Sequence, residues 1–149
     1  MLMELLVVLG VTSVTVVVHA AGTFAAIVHI AGALRRPDVG QRPLRSVILI
    51  LQVVGVLLVL HWIEALIWAG VYFAAGAFES FETAMYFSLT SYTTLGYGDI
   101  VLPPEWRLLG PFEGAVGILM FGWSTGVMVT VIHRIVARRL HLRDDVGKP

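Results

Sequence analysis

Few side chains in the 149-residue chain could do chemistry, and the most conspicuous of them sit in apolar surroundings. Glu64 and Glu113 are lone carboxyls inside long uncharged runs, and His61 stands three residues before Glu64. Two carboxyls brought together out of water can share one proton, which makes Glu64 and Glu113 candidates for proton sensing. His61 and Glu64 at i,i+3 lie on one face of a helix, as metal ligands in helical bundles do, but a site needs more donors than these. A second group is the string Thr90-Ser91-Tyr92-Thr93-Thr94-Leu95-Gly96-Tyr97-Gly98-Asp99, in which Gly96 and Gly98 permit backbone angles that side chains penalise. Taken alone, Gly-Tyr-Gly-Asp is an ordinary turn. The sequence pairs no nucleophile with a base and has neither a phosphate-binding loop nor a recognisable metal cluster, so neither an enzyme nor an organic cofactor is expected. With no cysteine, thiolate chemistry, disulfides and zinc-thiolate sites are excluded.

The elements that must position these residues are written in the composition. Hydrophobic residues make up 58% of the chain and charged residues 13%, against roughly 45–50% and about 25% in soluble domains, so lipid is the expected solvent for much of the surface. Leu5 to Leu34 carries no charge and exceeds the roughly 30 Å hydrocarbon core as a helix. Its flank Met1-Leu2-Met3-Glu4 lacks the positive segment of a signal peptide, so this helix is expected to be retained. A second span from Ser46 to Phe78 is interrupted only by Glu64, and a third from Leu108 to Ile132 only by Glu113. Between them Glu79 to Ser91 reads as a helix near 18 Å long, enough for half a bilayer. Extended, glycine-bearing backbone follows it and must be buried in protein or line water, because lipid cannot satisfy free backbone groups. That is the outline of a re-entrant loop.

Charge placement sets the expected orientation. Arg35, Arg36, Arg42, Arg45, Arg134, Arg138, Arg139, Arg143 and Lys148 fall on one side, with Arg107 alone on the other. The positive-inside rule makes the larger group cytoplasmic, the N-terminus external and the C-terminus internal. The loop then enters from outside, where Glu79, Glu82, Asp99 and Glu105 outnumber Arg107 and would concentrate cations. Formal charge sums to zero, so no nucleic-acid partner is expected. The basic groups read as topology-setting anchors, with anionic-lipid sensing as the sharper alternative.

With half-helix, flanking spans and charge bias in place, Thr90 to Asp99 resembles the selectivity filter of tetrameric potassium channels. The resemblance extends from Phe73 to about Arg134. It implies an all-α membrane protein of three transmembrane helices, a pore helix over 79–91, a filter over 93–99 and an inner helix over 108–134, assembled as a homotetramer around a central pore. On that scheme 1–34 is an additional helix, 35–45 a cytoplasmic basic hairpin, 46–134 the pore domain and 135–149 a short basic tail. The resemblance further implies that dehydrated K⁺, the permeant ion, is held by rings of carbonyls at Thr94, Leu95, Gly96, Tyr97 and Gly98, with a hydroxyl ring from Thr94. Thr90, Thr93 and Asp99 would support the filter, and Tyr97 would pack against the pore helix. Gly117 is the expected inner-helix hinge and Gly122 the runner-up, against a simpler role for glycine in close helix packing.

The chain departs from the family pattern in places. Leu95 stands where the commonest filter has valine, which motivates the alternative of a weakly selective monovalent-cation channel. Thr90 replaces a carboxylate that in some members bonds the filter aspartate, so Asp99 needs another partner, Tyr86 or Tyr92. The first span lacks arginine at every third position, which disfavours a voltage sensor, and the residues after His133 are too few for a cytoplasmic ligand-binding domain. A poorly conducting accessory subunit is a third reading. Counting from the helix ends puts Glu64 and Glu113 at similar depth, where they could share a proton behind the filter; the simpler reading bonds each to a pore-helix hydroxyl or to Trp62, Trp68 or Tyr72. His19 and His29 read as packing or interfacial residues.

Overall fold

A computed structural model describes residues 2–34 and 42–146, with side chains described for all of these except residue 34 and residues 141–146. The chain forms α1 (Leu2–Leu34), α2 (Pro43–Ala74), α3 (Phe81–Tyr92), a 3₁₀ turn at Pro104–Trp106 and α4 (Leu109–Val146). No strand occurs among the described residues. Three stretches are long and apolar enough to cross a membrane, Leu2–Ala33, Pro43–Ala74 and Pro104–Leu140. The protein is an all-α membrane protein. The expected hairpin at 35–45 lies outside the described residues up to position 41.

Helix ends differ from the expected ones for local reasons. α2 starts at Pro43 rather than Ser46, since proline is preorganised for a first helical turn, where its missing N–H is no loss. It stops at Ala74, four residues early, because Gly76 adopts φ +68° and closes a Schellman motif. There Ala77 N donates to the Tyr72 carbonyl and Gly76 N to that of Phe73, at 3.0 and 3.1 Å. α3 begins at Phe81, with the Ser80 hydroxyl accepting from Thr83 N at 3.1 Å as an N-cap and Glu82 in the first turn. α4 runs to Val146 rather than ending at 134, because the arginine-rich stretch from Arg134 to Val146 contains no glycine or proline to break the helix. The expected tail at 135–149 is therefore helical through Val146, and only 147–149 lie outside the described residues.

The chain divides into two compact units, one of residues 1–20 with 60–122 and the other of 21–59 with 123–149. In the first, Trp68, Ala69 and Tyr72 of α2 pack with Ala84, Phe87 and Tyr92 of α3, Leu109, Val116 and Met120 of α4, and Val8 and Val11 of α1. Aromatic edges fill this core: Tyr72 meets Phe87 at 5.2 Å between ring centres in a T-shaped contact. The second unit buries Ala26 and Ile30, then Leu49, Val53 and Leu57, then Val127, Val131 and Ile135. The last two sets recur every four residues, the stripe by which one face of a helix is covered. The additional helix is thus packed within its own chain. Its buried residues Val8, Val11, Thr15 and His19 make such a stripe in the first unit.

Candidate functional site

The segment that ends α3 has an unusual backbone. Thr93 N bonds the Leu89 carbonyl at 3.1 Å and Thr94 N that of Ser91 at 2.9 Å, after which Gly96 N reaches back to the Thr90 carbonyl at 3.0 Å. Thr94, Gly96 and Gly98 then take φ of 61°, 51° and 76°, so every second residue is left-handed. Glycine does this at no steric cost; Thr94 is the one non-glycine residue with positive φ among the described residues. Asp99, which ends the string, accepts a hydrogen bond from the Tyr86 hydroxyl at 2.8 Å. That bond to the carboxylate raises the Tyr86 phenol above its ordinary value. Thr90 turns instead to its own helix, its hydroxyl donating to the Phe87 carbonyl at 2.9 Å.

Behind the segment, α4 approaches α3 through a row of glycines. A methyl group built on Gly117 would lie 2.0 Å from the Tyr92 carbonyl oxygen, one on Gly114 3.2 Å from that of Ser91, and one on Gly110 3.2 Å from the Phe87 ring. Small residues here let two backbones meet. Beside them Glu113 is fully buried and accepts from the Tyr72 hydroxyl at 2.6 Å, with Ser88 Oγ 2.5 Å from its other oxygen and 2.8 Å from the Ala65 carbonyl. The α3 serine hydroxyl therefore ties the half-length helix to α4 and α2 at one point.

Residues 47–134, which contain all of these groups except α1, match the family model described as ion channel. No curated protein and no solved structure matches the chain. The chain belongs to the ion channel family. The match spans α2, α3, the glycine string and α4 up to Arg134, and it leaves α1 outside.

The remaining expected residues of the channel fall as follows. Gly117 is engaged in the close approach to Tyr92, the packing role, whereas nothing lies within 4 Å of a methyl group on Gly122. Leu95 and Tyr97 are 55% and 66% exposed in the single chain. Within one chain the expected packing of Tyr97 on the pore helix leaves most of its side chain uncovered. Glu64 and Glu113 do not form the expected shared pair: each is fully buried and occupied by its own partners. Glu113 has Tyr72 and Ser88, whereas Glu64 accepts from the Tyr92 hydroxyl and lies 2.7 Å from His19 Nδ1 and 3.2 Å from His61 Nδ1. Tyr92 is thereby committed to Glu64 and Asp99 is left to Tyr86. His19, read as a packing residue, is instead a direct partner of a buried carboxyl. A sequence separation of 45 between His19 and Glu64 hid that contact; the one sequence signal was a polar histidine inside an uncharged, apolar span.

Proposed function

We propose that the chain is one subunit of a homotetrameric, potassium-selective channel of the cell membrane, with its N-terminus outside and its C-terminus in the cytoplasm. The observation that carries this reading is the left-handed backbone at Thr94, Gly96 and Gly98. In an ordinary strand successive carbonyls point to opposite sides. Reversing the conformation of every second residue turns them to a common side, the arrangement required of a segment that offers rings of oxygen to a dehydrated cation. Each chain supplies one wall, so a closed ring needs several copies around an axis. K⁺ would be coordinated at Thr94, Leu95, Gly96 and Tyr97, with Gly98 completing the outer end and the Thr94 hydroxyl the inner one.

Other features support the same reading. The C-terminal end of the α3 dipole puts partial negative charge beside the inner end of the filter. Leu95 and Tyr97 leave large apolar side chains uncovered beside the filter, a surface that neighbouring subunits would bury. Glu79, Glu82, Asp99 and Glu105 would concentrate cations at the outer mouth. With Gly117 held against α3, the uncrowded Gly122 is the better place for an inner-helix bend. No span carries the regular arginines of a voltage sensor.

The test is a reversal-potential series for the purified protein in planar bilayers, with potassium exchanged for sodium on one side. A shift toward the potassium equilibrium potential, lost in Gly96→Ala, is the expected result. Equal permeability to the two ions would replace this reading with that of a weakly selective cation channel. Silence from a verified tetramer, across pH and lipid conditions, would make the chain an accessory subunit.

A further inference from the structure

The histidines around Glu64 form a group that ion conduction does not use. His19 of α1 and Glu64 of α2 are completely buried, and His61, one turn from Glu64, is 8% exposed. One donor atom from each of these three residues lies within 4.8 Å of the other two. Both imidazoles turn Nδ1 to the same carboxylate, and His61 Nδ1 is also 3.3 Å from the Tyr92 hydroxyl. Four polar side chains from three helices thus converge on one spot inside an otherwise apolar bundle, with the Phe121 ring of α4 closing one side at 4.2 Å from the His61 ring.

We propose that His19, His61 and Glu64 bind a divalent transition-metal ion, zinc being the ion this donor set fits, with the Tyr92 hydroxyl oxygen as a fourth donor. Two imidazoles and a carboxylate are a recurrent zinc set, and the i,i+3 pair on α2 presents two of the ligands from one helical face. Zinc bonds of about 2.1 Å in a tetrahedron put donor atoms about 3.4 Å apart. His19 Nδ1 lies 2.7 Å from one Glu64 oxygen and His61 Nδ1 3.2 Å from the other, and the three donors fall within 4.8 Å of one another, so small side-chain adjustments bring them to that spacing. Burial of a carboxylate and two imidazoles among apolar helices is costly unless they are paired, and apolar residues in place of such buried groups are often no less stable. A bound cation would give that expense a use. With no cysteine in the chain, no thiolate competes for the ion. The ion would fasten the additional helix to the last residue of α3, and Tyr92 leads directly into Thr93 and Thr94. Metal occupancy would thereby stiffen the approach to the filter. The site does not depend on which ion the pore conducts.

The experiment is equilibrium binding of zinc alone to the purified, detergent-solubilised full chain, followed by X-ray absorption at the zinc edge. One zinc per chain is expected, in a nitrogen and oxygen shell with two imidazoles. His19→Gln is expected to weaken it more than about 100-fold, beyond the range for loss of a mere supporting partner. The triple variant His29→Gln, His133→Gln, His141→Gln is expected to retain it. Absence of saturable binding, a shell without two imidazoles, or binding that survives His19→Gln but not the triple variant would reduce the cluster to a hydrogen-bond network only. Where His19→Gln does not fold, the imidazole count in the unaltered protein decides.

Discussion

At the scale of single residues the decisive feature is the left-handed backbone at alternate positions, Thr94, Gly96 and Gly98. A left-handed conformation costs a side-chain-bearing residue roughly 1–2 kcal/mol, so Gly96→Ala and Gly98→Ala are expected to distort the string while α1, α2 and α4 remain folded. Circular dichroism should then be unchanged while potassium current is lost. Tyr86 offers a pH test. Its phenol is raised because the neutral form donates to Asp99, so the bond is fully present below the ordinary tyrosine range and disappears only as pH climbs through the raised value. Carbon-13 NMR of labelled tyrosine should show Tyr86 ionising earlier in Asp99→Asn, with no such change if the bond is absent. The glycines were legible from the sequence because no other residue tolerates the geometry freely. The Tyr86 partner was legible only as one of two choices, since Tyr86 and Tyr92 both lie on the helix that leads to Asp99 and the second is taken by a carboxyl on another helix.

Between elements the controlling contact is the approach of α4 to α3. Gly117→Ala places a methyl group 2.0 Å from a backbone oxygen, which no side-chain rotation relieves. Overpacking of this kind costs about 1–3 kcal/mol, so a lower thermal midpoint is expected for Gly117→Ala and little change for Gly122→Ala, read by scanning calorimetry in detergent. Glu113 offers a graded series. Glutamine can still accept from Tyr72 and meet Ser88, whereas Glu113→Ala strands the buried Tyr72 hydroxyl at a cost of about 1–3 kcal/mol and leaves Ser88 only the Ala65 carbonyl. The same calorimetry should therefore rank Glu113→Ala well below Glu113→Gln; equal effects would remove the proposed tie. The existence of three spans and one half-span was plain from uncharged run lengths. Their ends were not, because a Schellman turn at Gly76 and a helix-compatible arginine-rich stretch act through local bonding that hydropathy does not register. Nor could run lengths reveal which stripe of α1 is buried, since that helix is apolar on all sides.

For the whole molecule the exposed apolar surface is the informative quantity. Leu6, Leu9, Phe24, Leu51, Leu58 and Trp62 are each more than half exposed, as expected of side chains that meet lipid or other subunits. Native mass spectrometry from detergent should give four chains per particle, and a cross-linker at Tyr97 should join different chains rather than close within one. Arg107 apart, the basic residues with described side chains are Arg42, Arg45, Arg134, Arg138 and Arg139. Replacing the α4 three by glutamine should weaken binding to anionic vesicles by about 1 kcal/mol per charge, read by vesicle co-sedimentation. An unchanged affinity would leave these residues as topology determinants alone. The fold class followed from composition, but the histidine cluster required the chain to be folded first, because its members are spread over α1, α2 and α3.

Ser88 and Tyr92 lie four residues apart on α3, hence on one face, and each is bonded to a buried carboxyl on a different neighbour: Ser88 to Glu113 of α4 and Tyr92 to Glu64 of α2. A rod pinned at one point can swivel. Pinned at two points about 6 Å apart along its axis, to two separate partners, it loses both the swivel and rotation about its own length. What remains is displacement together with those partners, so a change in the spacing of α2 and α4 is passed to the glycine string that follows Tyr92.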